Sequence, residues 1–377
     1  MKILHTSDLH LGISLCGIPL LNYQRKLCDT LCGLAGKADA MIVSGDIFDT
    51  SVASAEAVKL WSEFATRLCL EIKIPLIVCA GNHDGAARLA SCSGLLRPSG
   101  LYISGTLDDA FGPVTVGNAA VYSLPYFNPA DAAAVLGCEP NAASVMKAAV
   151  SEILSKADRT VCNILAAHCF AAGASASESD ISARASESIG GADRIPADAF
   201  SGFDYVALGH LHKAQTVSKS GAETLIRYSG APLPYSFGEA RYRKTVTLYD
   251  TETRSLKELD VPQPYTLRSL EDTYENILGI AENDPNRDDY MKITVTDRFA
   301  GDGIFTRLKE LYPNLLQFSG ANPAASGNSE TTGAIEASEM DIVSLAVRYA
   351  EERRGEKPDS DELKWLSEAL KELEEEP

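Results

Sequence analysis

Short apolar runs recur along the first 250 residues, each closing on polar residues. "KILHTSD" (2–8), "DAMIVSGD" (39–46), "IPLIVCAGNHD" (74–84), "TVCNILAAHCF" (160–170), "FDYVALGHLH" (203–212) and "TLIRYSG" (224–230) all have this form. Continuous rather than alternating apolar runs predict strands covered on both faces. Helical patterns over about 22–36 and 53–70 fall between them and predict helices layered outside sheet. The pattern changes near Tyr265: "LRSLEDTYENILGIAE" (267–282) reads as helix, "YMKITVTD" (290–297) as strand, "GIFTRLKELY" (303–312) as helix and "NLLQFSG" (314–320) as strand. Residues 171–188 are small and polar and predict a loop, and 320–339, rich in Gly, Ser, Thr and Ala, read as a flexible linker. Two amphipathic helices then follow, over about 341–354 and from Asp359. In the second, Asp359 and Glu362 have capping-box spacing, and Leu363, Leu366, Leu370 and Leu373 share one face.

A chain of 377 residues exceeds one ordinary core, so more than one domain is expected. No run approaches the ~20 apolar residues of a membrane helix. "MKILHTSDLH" is not a signal peptide, so a cytoplasmic protein with no membrane partner is expected. The nine cysteines form no C-x-x-C pair and read as small buried hydrophobes. The net charge of −18 counts against strong autonomous binding to nucleic acid. It does not exclude a phosphodiesterase, because clustered carboxylates can bind cations that reverse the local field.

Candidate chemistry collects where the predicted strands end, which is where open α/β sheets bind ligands. Asp8 and His10 follow the first strand, Asp46 and Asp49 the second, and Asn82, His83 and Asp84 the third; His168, His210 and His212 follow later ones. The chain has only six histidines, and five lie at such ends. In D-x-H and H-x-H on an extended strand, both side chains point the same way. Imidazole with carboxylate and amide, and no thiolate, suits transition metals more than calcium. Asp8, His10, Asp46, Asn82, His168, His210 and His212 together exceed one ion's needs and suit two ions clamping a phosphoryl group, bridged by one carboxylate. The residues alone do not assign each donor to an ion. Asp49 reads as a support for a donor, Asp84 as orienting its loop, and His5 as packing or support.

The ordered set D-x-H, G-D-x-x-D, G-N-H-D, H, G-H-x-H resembles the calcineurin-like metallophosphoesterase superfamily. "MKILHTSDLHLG", "GDIFDT", "GASASESD", "DYVALGHLHKAQ" and "RYSGAPLPYSFGEA" resemble its SbcD branch, the nuclease subunits of bacterial SbcCD complexes. The resemblance runs in order along the whole chain. It implies a four-layer α/β/β/α sandwich with a small α/β capping domain and C-terminal helices. The implied divisions are a nuclease domain over 1–260, a DNA-positioning cap over 265–319, the linker over 320–339 and partner-binding helices over 340–377. One ion would be held by Asp8, His10, Asp46 and His212, the other by Asp46, Asn82, His168 and His210, with Asp46 bridging. His83 would act on the leaving oxygen without binding metal. The resemblance further implies two divalent ions of manganese type, DNA cleavage as exonuclease and endonuclease, a homodimer, and an SMC-type ATPase partner of the SbcC kind on the C-terminal helices. Leu9 departs from a tryptophan common in relatives, which touches packing and not the donors. A free-standing phosphoesterase on a small ester would use the same donors but has no use for a cap and tethered helices. A non-catalytic scaffold has no use for a complete donor set.

Overall fold

The computed structural model describes residues 1–175, 194–219, 221–297 and 303–320. The expected helices within 340–377, the linker of 320–339 beyond Gly320 and most of the loop at 171–188 lie outside the described residues.

Two six-stranded sheets form the body. The first contains β1 (Lys2–Thr6), β4 (Ala40–Ser44), β5 (Leu76–Cys79) and β6 (Leu101–Ser104) in parallel, with β13 (Thr245–Asp250) antiparallel beside β1 and β14 (Ser255–Asp260) antiparallel beside β13. The second has the order β11 (Gln215–Thr216), β12 (Leu225–Tyr228), β10 (Tyr205–Gly209), β9 (Cys162–His168), β8 (Ala119–Leu124), β7 (Val114–Val116). A small hairpin, β2 (Ser14–Leu15) and β3 (Ile18–Pro19), leaves the end of β1.

The continuous apolar runs explain the layering. Strand side chains alternate, so a strand covered on both faces serves two cores. Leu4, Met41, Val43, Leu76 and Val78 face an outer core with α1 (Leu21–Ala35) and α2 (Ala55–Thr66). Their neighbours Ile3, Ile42 and Ile77 turn the other way and meet Val121, Ile164, Ala166, Tyr205 and Ala207 between the sheets. Leu165, Ala167, Val206 and Leu208 then face the opposite outer core. The short helices α3 (Ala86–Leu89) and α4 (Ser93–Leu96) follow β5, α5 (Pro129–Leu136) follows β8, and α6 (Ala142–Lys156) packs Met146, Ala149 and Ile153 on that second outer face. The result is the four-layer α/β/β/α sandwich.

Beyond the body, β15 (Leu267–Asp272), β16 (Tyr290–Val295) and β17 (Leu315–Gly320) form a parallel three-stranded sheet. Helices α7 (Tyr274–Asn283) and α8 (Ile304–Leu311) close it over a separate small core. The helix expected over 267–282 is corrected here: its first six residues are strand β15. Leu267 is buried, Ser269 and Glu271 are exposed, and all six pair in register with β16. The helix starts only after Thr273, whose Oγ1 accepts the N–H of Asn276 at 3.4 Å. Among the described residues no helix is long and apolar enough to cross a membrane.

Candidate metal centre

The ends of β1, β4, β5, β9 and β10 meet at one edge of the sandwich. The first sheet brings Asp8, His10, Asp46 and Asn82, and the second brings His168, His210 and His212. The approach is close enough that glycine precedes three donors. A Cβ on Gly45 would stand 2.2 Å from His168 Nδ1, one on Gly81 2.1 Å from Asp46 Oδ1, and one on Gly209 1.8 Å from the Ser44 carbonyl oxygen. Asp8, His10, Asp46 and His210 themselves have φ of 54°, 42°, 51° and 98°. Such left-handed backbone is costly for residues with side chains and clusters at functional sites.

The donor atoms converge in pairs. His10 Nε2 and His212 Nε2 are 3.2 Å apart. Asp46 Oδ2 lies 3.6 Å from His10 Nε2 and 3.3 Å from His168 Nε2. Asn82 Oδ1 is 2.9 Å from His168 Nε2 and 3.1 Å from His210 Nδ1. Asp8, His10 and His212 keep their donor atoms within 4.8 Å of one another, as do Asp8, Asp46 and His168. Two donors ~2.1 Å from one ion and at right angles stand ~3.0 Å apart, so these spacings match neighbours around shared cations.

The ring tautomers point the same way. His168 Nδ1 donates to the Ser44 carbonyl at 2.8 Å, and His212 Nδ1 faces Glu239 Oε1 at 3.0 Å. The other nitrogen of each, Nε2, therefore carries a lone pair into the cluster. His10 Nδ1 is buried without a hydrogen-bond partner among the described residues, 3.7 Å from Asp49 Oδ1, while its Nε2 lies against the Nε2 lone pair of His212. Lone pairs facing one another call for a cation between them, and the residues present fit divalent metal. The charges agree. Burial resists ionisation of Asp46, yet the imidazoles of His168, His10 and His83 hold it well below the ordinary carboxylate range. Burial also resists protonation of His168, but Asp46, Asp8 and the Ser44 carbonyl together lift it to about 9. Burial pulls His10 down to about 3, and it raises Asp8.

The other expected residues fall around this cluster. The His83 ring stands edge-on to His10, with centroids 4.8 Å apart, and its Nδ1 donates to the Asp49 carbonyl at 2.8 Å. Its backbone N–H reaches Asp46 Oδ1 at 3.0 Å. Asp84 points away from the donors; its carboxylate accepts the N–H groups of Ile47, Phe48 and Gly81 and so ties the β4 and β5 loops together. Burial and the nearby Asp46 charge raise Asp84 to about 6 despite those bonds. His5 lies between the sheets, with Nδ1 2.7 Å from the Tyr205 hydroxyl and Nε2 3.2 Å from Ser44 Oγ. Three further supports escape a reading of the sequence. Gln24 donates to the carbonyls of Leu9 and His10 at 3.0 and 2.7 Å, Ser7 Oγ donates to Asp8 Oδ2 at 2.5 Å, and Glu239 reaches His212. Only the adjacency of Ser7 to Asp8 could have signalled any of them.

Comparison with known proteins agrees with this geometry. A family model described as calcineurin-like phosphoesterase matches residues 1–214. The SbcD subunit of the SbcCD nuclease from Staphylococcus epidermidis is similar to this chain at 32% identity over 328 residues, which span 85% of each.

Proposed function

Since this chain belongs to the calcineurin-like phosphoesterases, and among them to the SbcD family, we propose that it is the nuclease subunit of an SbcCD-type complex. The observation carrying this reading is the convergence of Asp8, His10, Asp46, Asn82, His168, His210 and His212 from two sheets onto one edge. The coarser activity, a metal-dependent phosphoesterase, follows from the family. The finer one is hydrolysis of DNA phosphodiesters, as exonuclease on duplex ends and endonuclease on single strands and hairpins. Its support is the likeness to the staphylococcal SbcD protein.

Asp8, His10, Asp46 and His212 would hold one ion and Asp46, Asn82, His168 and His210 the other, with manganese the proposed metal. When bound, such ions polarise phosphoryl oxygens and make water a nucleophile at neutral pH. The protein's own residues do the rest. His83, with its Nδ1 proton committed to the Asp49 carbonyl, presents Nε2 to substrate, and in its doubly protonated form delivers the Nε2 proton to the leaving oxygen, returning to the neutral ring. Asp49 fixes that ring, and Asp84 fixes the two loops carrying Asp46 and Asn82.

We assign 1–260 to the catalytic body, 265–319 to a cap that positions DNA, 320–339 to a linker and 340–377 to helices that dock on an SbcC-like ATPase. A cytoplasmic homodimer completes the reading. An apolar groove of about 490 Å³ along α2, lined by Val58, Trp61, Ala65, Leu70 and Leu96, supports self-association. The acidic balance of −18 fits a subunit that relies on its partner for basic surface.

The test is cleavage of a labelled DNA hairpin with manganese, with and without the partner and ATP. Hairpin cleavage by the chain, extended to duplex by partner and ATP, is expected. His83→Gln should lower cleavage by about 10²–10⁴-fold while both ions still bind. Deleting 340–377 should release the partner and spare metal binding. Silence on DNA with turnover of a small phosphodiester would move the substrate to a free-standing phosphoesterase.

A further inference from the structure

Behind His212 stands a buried ion pair that the proposed reaction does not use. Glu239 ends the short turn Phe237–Glu239 and is 0% exposed, and Lys244, 5% exposed, immediately precedes β13. Lys244 Nζ is 2.6 Å from Glu239 Oε2, while Glu239 Oε1 takes His212 Nδ1 at 3.0 Å and Ser236 Oγ at 3.4 Å. Lys244 Nζ also reaches the His212 carbonyl at 3.4 Å, which accepts the Ala231 N–H at 3.2 Å as well. Gly230 lets that backbone approach; a Cβ there would stand 2.9 Å from the same carbonyl oxygen and 2.6 Å from Ala214 N. His212 is thus held by ring and backbone together.

Burying such a pair is costly, and apolar residues of similar volume commonly stabilise a fold as well or better. Its position therefore points to a task at the ring it touches. An ionised carboxylate facing Nδ1 keeps the proton there, leaves Nε2 as a lone-pair donor, and raises its basicity. Lys244 Nζ, 2.6 Å from Oε2, anchors the carboxylate so that Oε1 stays opposite His212 Nδ1. His168, by contrast, is held through Nδ1 by a neutral carbonyl, that of Ser44.

We propose that Glu239, with Lys244, is the positioning residue for His212, and that it sets the affinity of the ion position shared by His10 and His212 without setting that of the other. This rests on the two-ion reading above.

The test is a manganese titration of the full chain, following the electron paramagnetic resonance signal of free Mn²⁺, with thermal melts to check folding. The unaltered chain should show two binding events. Glu239→Ala should weaken one of them about 10–100-fold, the same event that His212→Ala removes, and leave the other. Glu239→Gln keeps an acceptor for Nδ1–H without the charge and should fall between. It also carries the test if the alanine variant does not fold. Lys244→Met should shift the same event in the same direction. Two undisturbed events in folded Glu239→Gln and Lys244→Met, or equal loss of both, overturn the proposal. An unaltered chain that takes up no divalent ion overturns the two-ion reading instead.

Discussion

Glycine stands before Asp46 and His210 because nothing larger fits against the sheet opposite, and before Asn82 because a side chain there would strike Asp46 at the end of the neighbouring strand. At Gly209 the obstruction is the Ser44 carbonyl oxygen, whose backbone belongs to β4 and cannot swing aside. Gly209→Ala should therefore cost about 2–4 kcal/mol in urea denaturation and weaken manganese binding as the sheets part. A denaturation midpoint equal to that of the unaltered chain would mean the two sheets can separate freely at this point. The donors themselves were legible in the sequence because each closes an apolar run, and all but His168 sit one or two residues from another polar residue. Glu239 was not. It lies 27 residues from His212, and the proton it controls leaves no mark in a residue pattern.

The small sheet shows how a local pattern can mislead. Leu267, Leu270, Ile277 and Ala281 suggest one helical face, yet β15 ends at Asp272 and α7 begins at Tyr274. What decides is pairing with β16, whose sequence lies beyond any local window. One charge cluster ties this sheet to its helices. Arg268 on β15 grips Asp284, with Nη1–Oδ1 at 3.1 Å and Nη2–Oδ2 at 2.7 Å, and Tyr312 OH donates to the same carboxylate at 3.1 Å. Hydrogen bonding from Arg268 is the main cause that holds Asp284 at about 2, below its ordinary 3.8. A depressed acid pKa stabilises the fold above the unfolded value and loses that effect as pH falls through the folded one. Asp284→Asn should therefore cost about 1–3 kcal/mol at pH 7. The difference should shrink between about pH 4 and pH 2. Urea denaturation of both proteins at pH 7 and near pH 2 measures it; an undiminished difference in acid would trace the effect to shape and not charge.

At the scale of the whole molecule, the donor cluster exists only when both sheets are in place. Ion binding and assembly of the sandwich are then linked. Manganese at ~100 times its dissociation constant should add about 2.7 kcal/mol per site, seen as a rise in melting temperature. Asp46→Ala should abolish most of that rise, since Asp46 Oδ2 faces both His10 and His168. A full rise in the variant would remove Asp46 from the bridging position. The layers could be foreseen from apolar runs alone, but the strand order could not, because residues 245–260 return to pair beside β1. That return has a consequence for how the protein is made. β1 leaves the ribosome about 240 residues before the strand that covers its open edge. At ~5–20 residues per second the edge stays bare for roughly 10–50 s, a template for pairing with the wrong chain. A message that breaks off between codons 213 and 244 would encode every proposed donor and leave the edge of β1 bare for good.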